Sequence, residues 1–230
     1  NVAAYPTIVA AYFYDTDATP DGAIDEMVIE LSENIDEASV EVDDFGLTGG
    51  PGTPSIDGFS SFGGGMVDNA DDASATDQYI TFEVSGIPTT AITGLVATFQ
   101  KDNDGNDFES SVTGLAAVDD LTITEIDRAA PAIVSATVQS GNAYVQILFS
   151  EGIWSVVNTV PIGAGALDAA TNFADGGDGG ATSSSITTLN EIINDTPIVG
   201  GEDEIRGILN IGGTVDNNNN DVFSVEPASA

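Results

Sequence analysis

Apolar and polar residues alternate along most of this 230-residue chain, and turn-forming residues interrupt the alternation at short intervals. In Tyr79–Val84, for example, Ile80, Phe82 and Val84 share one face of an extended segment. A period of two is the pattern of a β-strand that buries one face. Because the β-branched and aromatic content agrees with this pattern, we expect an all-β protein.

Several segments carry the alternation and are predicted to be strands. Many short strands separated by turns favour a β-sandwich. Helical patterns are weak, and only Ala166–Phe173 and Ile186–Ile193 could form one or two helical turns. Gly49–Asp77 and Gly176–Ser185 are rich in glycine and small polar residues and are predicted to be loops. The predicted strands are Thr7–Tyr14, Ala23–Leu31, Tyr79–Val84, Leu95–Gln100, Leu121–Ile126, Ala132–Val138 and Ala143–Phe149.

Two stretches of the chain repeat one another. The first begins "PTIVAA" at Pro6, and the second begins "PAIVSA" at Pro131. Each continues through an alternating strand to a Ser-Glu pair, which starts at Ser32 in the first copy and at Ser150 in the second. The first copy is longer only at the predicted hairpin tip, where insertions cost little free energy.

An Asp/Asn-rich turn occurs in both halves of the chain. It reads "DNDGND" at 102–107 and "DNNNND" at 216–221. Together with the repeated strands, this turn predicts two tandem domains, 1–128 and 129–230. The predicted joint, Glu125–Pro131, is short and ends in a proline, which stiffens it.

Four features of the repeats belong together: the Ala-Pro opening, the strand ending in Phe-Ser-Glu, the Asp-rich hairpin at Asp15–Asp25 and the turn around Asp104–Asn106. In these features the chain resembles the bacterial Ig-like repeats of S-layer proteins, adhesins and other secreted surface proteins. The resemblance implies two tandem Ig-like β-sandwich domains. It also implies a structural role in spacing, adhesion or lattice formation at the cell surface.

The charge balance of the chain is extreme. Its 38 acidic residues face only Lys101, Arg128 and Arg206, for a formal net charge of −35. Such a surface repels nucleic acid and anionic lipid, because affinity for both depends on lysine and arginine. It also repels copies of itself, so bound cations or high salt must offset the repulsion.

Cysteine and histidine are absent from the sequence. Their absence excludes thiol nucleophiles, disulfides, zinc sites of the usual kind and imidazole acid–base catalysis. No apolar run approaches the roughly 20 residues of a membrane span, so we expect no membrane insertion. Since the sequence begins with Asn1 rather than methionine, we expect a processed, exported protein that is extracellular or on the cell surface.

The predicted hairpin tip offers carboxylates at Asp15, Asp17, Asp21 and Asp25. Calcium takes six to eight oxygen ligands, and carboxylates at alternate positions of a tight turn can converge on it. The flanking segments are strands rather than helices, so the loop is not an EF-hand. A calcium loop and a solvated acidic turn remain the two interpretations.

A second candidate calcium site combines Asp102, Asp104, Asp107 and Glu109. Carboxylates this dense repel one another strongly unless a cation lies among them. The corresponding turn of the second repeat has asparagines in place of two of its central residues, which favours a plain turn there. We therefore predict calcium in the first domain only.

Three further acidic residues and the single tryptophan have two interpretations each. Glu33 and Asp127 are candidates either for a metal site at the domain joint or for capping of backbone amides, whereas Glu151 is predicted to be a cap. Trp154 is a core or interface anchor rather than a platform that stacks on sugar. Carbohydrate binding stays open as a possible activity.

No nucleophile elbow, phosphate-binding loop or dinucleotide fingerprint is present, so we predict that the protein is not an enzyme. We predict an extracellular structural protein that assembles through copies of itself into a surface layer, filament or matrix stabilised by calcium. The alternatives are a carbohydrate- or partner-binding module of a larger secreted protein, and a halophilic protein whose acidity needs only salt.

Overall fold

In a computed structural model of the chain, nearly all regular structure is β. A short 3-10 helix covers Val42–Asp44. The prediction of an all-β protein is therefore confirmed. The structure describes residues 5–17, 21–36, 39–60, 78–100, 109–118, 122–138, 144–154, 160–165, 171–174, 180–214 and 224–227.

The chain divides into two compact units, a first unit of Asn1–Ala130 and a second unit of Pro131–Ala230. The strands of the first unit are β1 (Ile8–Tyr14), β2 (Ile24–Leu31), β3 (Ile35–Asp36), β4 (Phe45–Gly49), β5 (Ser55–Phe59), β6 (Tyr79–Ile87), β7 (Leu95–Phe99), β8 (Glu109–Ser110) and β9 (Glu125–Asp127). Those of the second unit are β10 (Ile133–Val138), β11 (Tyr144–Ile153), β12 (Thr171–Ala174), β13 (Gly180–Glu191), β14 (Glu202–Thr214) and β15 (Ser224–Pro227).

The first unit is built on a five-stranded sheet in the order β5-β6-β2-β1-β9. Its neighbours are antiparallel except at the edge, where β9 runs parallel to β1 and aligns Ala11 with Glu125 and Phe13 with Asp127. Two short antiparallel pairs, β4 with β7 and β3 with β8, complete the described strands of the unit.

Phenylalanines join the β4–β7 pair to the large sheet. The ring of Phe45 on β4 lies 4.9 Å from that of Phe82 on β6 and 5.2 Å from that of Phe99 on β7. Phe82 and Phe99 are fully buried, with Phe13 and Ile29 of the sheet in the same core. Burying each of these side chains contributes about 1.5–3 kcal/mol to stability, so this contact holds two layers of strands together.

The second unit contains a four-stranded sheet in the order β10-β11-β14-β13 and a separate pair, β12 with β15. Its described core residues lie on the four-stranded sheet and on the segments next to it. Val145 and Ile147 of β11 and Ile205 of β14 are fully buried, and Ile186 and Leu189 of β13 pack with them.

The two repeats fold alike. The four strands β5-β6-β2-β1 follow the same order as β13-β14-β11-β10. The register of the first strand shifts at Ile8/Ala10 in one unit and at Ile133/Ser135 in the other, so a β-bulge falls at the same point of the repeat. The valine at each bulge is exposed, Val9 by 49% and Val134 by 54%.

Several sequence predictions need correction. Ile186–Ile193 is not helical, because its first part belongs to β13, and Thr171–Ala174 at the end of the other predicted helix is also a strand. The predicted loop Gly49–Asp77 contains β5, whose Phe59 ring stacks on Phe82 at 5.4 Å. The predicted loop Gly176–Ser185 overlaps β13 from Gly180 onwards.

Candidate metal centre

The β1–β2 hairpin brings aspartates from both of its strands together. Asp15 follows the last residue of β1, and Asp25 is the second residue of β2. Each of Asp15, Asp17 and Asp25 offers a carboxylate oxygen, and these oxygens all lie within 4.8 Å of one another. Asp15 and Asp25 are half-buried, whereas Asp17 is exposed. Hereafter these three residues are the aspartate cluster.

Carboxylates at this spacing repel one another. Two unit charges 4 Å apart interact by about 1 kcal/mol in bulk water and about 4 kcal/mol near a protein surface. A cation among the three oxygens would turn this repulsion into attraction. The arrangement therefore has the geometry of a cation site that is open to solvent on the side of Asp17.

Thr16 holds Asp25 in place. Its backbone amide donates to Asp25 Oδ1 at 2.9 Å, and its hydroxyl lies 3.0 Å from both carboxylate oxygens. Thr16 was not among the residues predicted from the sequence. In the sequence, Thr16 lies between the two candidate ligands Asp15 and Asp17. A short hydroxyl side chain in such a position commonly hydrogen-bonds nearby polar groups.

A glycine lets the chain turn beneath Asp15. The Gly22 amide donates to Asp15 Oδ2 at 3.0 Å, and Gly22 has φ of +85°. Only glycine adopts such a conformation readily, which explains the Asp21-Gly22 dipeptide at this position.

The other oxygen of Asp15 has unmet bonding capacity. Asp15 Oδ1 is buried and has no hydrogen-bond partner among the described residues. Burial raises the pKa of Asp15, the nearby charges of Asp25 and Asp21 raise it further, and the Gly22 and Asp17 amides oppose the rise. A buried carboxylate oxygen without a donor is destabilising, and a hard cation would satisfy it.

Asp21 does not join the other three aspartates of the hairpin. Its Oδ1 accepts a hydrogen bond from the Ala23 amide at 2.8 Å, and the residue is exposed. This is the local turn typical of aspartate two residues before an amide donor. The structure thus groups Asp15, Asp17 and Asp25 and leaves Asp21 as a turn residue.

Of the second candidate site, only Glu109 can be placed. Asp102, Asp104 and Asp107 lie outside the described residues. Glu109 is half-buried in β8 opposite Asp36, and its amide donates to Ser39 Oγ at 2.9 Å. The prediction of calcium at these four residues stays a prediction.

Glu33 and Asp127, the two candidates for a metal site at the domain joint, accept hydrogen bonds from different residues. Glu33 accepts a hydrogen bond from Ser110 Oγ at 3.1 Å, and its Oε1 is buried without a partner among the described residues. Asp127 Oδ1 accepts from the Ala129 amide at 3.0 Å, which fits the capping interpretation. Glu151 is half-buried on β11.

Glu26 is a buried carboxylic acid next to the aspartate cluster. It is 8% exposed, and Ser60 Oγ donates to its Oε1 at 2.6 Å. Burial raises the pKa of Glu26 to about 7; the charges of Asp25 and Glu83 add to the rise, and the Ser60 hydrogen bond opposes it. Glu26 was not among the residues predicted from the sequence. It lies two positions before Val28 in β2, so the two side chains are on the same face of the sheet.

Trp154 is packed inside the second unit. A Cβ atom at Gly200 would lie 2.4 Å from Trp154 Cζ3, and one at Gly201 would lie 2.8 Å from Cζ2. The half-buried indole therefore covers two glycines closely. This contact fits the anchor interpretation of Trp154 better than a surface that stacks on sugar.

Known proteins give no indication of the function of this chain. No protein-family model, curated protein or solved structure matches the chain. Within the described ranges, the structure has no helix that is long and apolar enough to cross a membrane.

Proposed function

We propose that this protein is a non-enzymatic, extracellular structural protein that binds calcium at its β1–β2 hairpin and assembles through copies of itself. The observation that carries the proposal is the aspartate cluster, in which three carboxylates converge and one buried oxygen of Asp15 has no donor among the described residues.

The chemistry of the ligands favours calcium. The chain offers no histidine or cysteine, so oxygen is its main metal ligand, and hard cations prefer oxygen. Calcium accepts irregular geometry and a mixture of carboxylates, carbonyls and water, whereas magnesium demands a near-ideal octahedron. Three carboxylates on a short hairpin, one of them exposed, suit the less demanding ion.

The strand order and the packing of two layers support an Ig-like sandwich for the first unit, and the shared strand order extends the proposal to the second. The sheet β5-β6-β2-β1 faces the β4–β7 pair in the first unit, and the same four-strand order recurs in the second. Antiparallel sheets packed face to face around an aliphatic and aromatic core are the architecture of Ig-like domains. Tandem domains of this kind act as spacers and lattice elements, which agrees with the repeat.

The net charge of −35 links the metal to assembly. Self-repulsion at this charge opposes close packing of copies. Calcium bound at carboxylates lowers the charge locally, so assembly is expected to depend on it.

Thermal melts test the metal site. The protein is melted in EGTA, in millimolar calcium, and in sodium chloride of matched ionic strength. Calcium is expected to raise Tm well beyond the sodium chloride sample, because a ligand that binds only the folded state stabilises it. An equal effect of both salts would refute the calcium site and support a general halophilic acidity. Light scattering at high protein concentration then tests assembly with and without calcium.

A further inference from the structure

The outer edge of β1 in the first unit is closed by another strand. The Ala11 amide donates to Thr124 O at 2.9 Å, and the Arg128 amide donates to Phe13 O at 2.9 Å. The backbone groups of Ala11 and Phe13 therefore face away from β2 and toward β9. In the first unit, β9 therefore supplies hydrogen-bond partners for the outward-facing backbone groups of β1.

The corresponding edge in the second unit has no such partner among the described residues. Counted from the proline that opens each repeat, Ala136 and Val138 of β10 correspond to Ala11 and Phe13. β10 is the terminal strand of its sheet and pairs only with β11. Ser135, Ala136 and Thr137 are exposed. Near the end of the second unit, β15 pairs with β12 instead.

Within the described ranges, β10 from Ser135 onwards lacks the usual protections of an open edge. Edge strands are commonly blunted by charged side chains, by proline or by bulges. The β10 bulge lies at Val134, which leaves the strand from Ser135 onwards regular. Residues 129–150, which include β10 and most of β11, contain no charged side chain in a chain of net charge −35. At a neutral edge, two such chains can approach without local repulsion between like charges.

We propose that β10 pairs antiparallel with β10 of a second copy, joining two four-stranded sheets into one. This inference rests on the self-assembly proposed above and names one of its contacts. A second copy suits the edge because the strand is neutral and complementary to itself across a two-fold axis. Strand addition of this kind derives its affinity from main-chain hydrogen bonds.

The outward-facing groups fix the register. Ala136 lies opposite Val138 of the second copy and exchanges hydrogen bonds with it, and the two-fold axis repeats the pair. Thr137 then faces its own counterpart in a non-hydrogen-bonded pair, where Cα atoms are about 4.5 Å apart. Opposed threonines stabilise antiparallel strands.

A cysteine at Thr137 tests this register, because the chain contains no cysteine of its own. The Cα spacing of the pair, about 4.5 Å, falls within the range that a disulfide spans. We expect Thr137→Cys to form a disulfide-linked dimer on mild oxidation in the conditions where the wild type assembles. Thr188→Cys is the matched control, since Thr188 is exposed on β13, the opposite edge strand of the same sheet. Equal crosslinking of both variants would mean random collision and would refute the pairing.

A second variant tests the contact without oxidation. Thr137→Glu places two carboxylates opposite one another, so the dissociation constant of the dimer, measured by sedimentation equilibrium, is expected to rise about fivefold. Thr188→Glu is expected to behave as the wild type. If the wild type assembles and Thr137→Glu assembles equally well, the β10 contact alone is refuted. A wild type that stays monomeric in calcium refutes the self-assembly proposal and this contact together.

Discussion

Ser32 and Thr7 are joined by a reciprocal pair of hydrogen bonds. The Thr7 amide donates to Ser32 Oγ and the Ser32 amide donates to Thr7 O, both at 2.9 Å. Ser150 and Ala132 make the same two bonds at 2.9 Å in the second unit. The serine of the repeated Ser-Glu pair therefore forms a clasp, which ties the second strand of each repeat to the residue after the opening proline.

Removing the hydroxyl from this clasp is expected to destabilise each unit. Ser150→Ala leaves the amide donor of the buried residue Ala132 without its acceptor, at a cost of about 1–3 kcal/mol in the free energy of unfolding. Urea unfolding measures the loss. Ser150→Thr keeps the hydroxyl and is expected to retain most of the stability, and a loss as large as that of alanine would argue against the clasp.

Calcium binding is expected to depend on Asp25 and not on Asp21. Asp25→Asn removes a charge from the aspartate cluster, so the Tm increase caused by calcium should largely disappear. Asp21→Asn removes the same charge from the same hairpin, but Asp21 only caps the Ala23 amide. Isothermal titration with calcium compares the two variants. A loss of binding in Asp21→Asn would show that the loop closes on the ion with all four aspartates.

Glu26 is expected to make stability depend on pH. Its pKa is about 7 in the folded protein against 4.5 for the ordinary group, so the protonated form is favoured by folding. That contribution is complete below pH 4.5 and is lost as pH rises through 7. Allowing for solvent screening, the loss is of the order of 1–2 kcal/mol.

Urea unfolding in EGTA between pH 4.5 and 8 measures this effect. Glu26→Gln is expected to flatten the decline between pH 4.5 and 7 relative to the wild type. Asp57→Asn is a suitable control. The pKa of Asp57 is lowered by hydrogen bonds from Ser85 and Ser55, so Asp57 gives no decline in this window. A wild-type profile that matches Glu26→Gln would contradict the assignment.

Gly200 is expected to tolerate no side chain. Its φ of +100° and the 2.4 Å approach of Trp154 Cζ3 both oppose an alanine, at a cost of about 1–3 kcal/mol. Because Trp154 is the only tryptophan, its fluorescence is expected to shift to the red in Gly200→Ala. Gly163→Ala, where a Cβ meets nothing within 4 Å, should change neither stability nor emission.

Strands with unbroken alternation were the predictable part of the fold. β1, β2, β6 and β11 begin within one residue of their predicted starts, because the residues that each directs into the main core of its unit recur with a period of two. β13 was missed because a bulge between Ile186 and Thr188 resets the alternation. Ile186 and Leu189 are both buried although they lie three positions apart, which is helical spacing.

The candidate site was predictable in residue type but not in grouping. Spacing alone could not separate Asp21 from the three clustered aspartates, since the separation depends on which amide each carboxylate meets. The Thr16 contact to Asp25 and the burial of Asp15 Oδ1 arise only when both strands of the hairpin are in place. Burial raises the pKa of Glu26, and this burial exists only once β2 is packed in the folded unit, with Ser60 from a distant part of the sequence against its carboxyl group.

The parallel pairing of β1 and β9 determines how the first unit carries tension. The chain enters the sheet at one end of β1 and leaves it along β9, which runs in the same direction beside it. A pull on the two ends of the unit therefore slides these strands past one another and loads their hydrogen bonds together instead of opening them singly. Resistance to shear is the mechanical property that a cell-surface tether or lattice element needs.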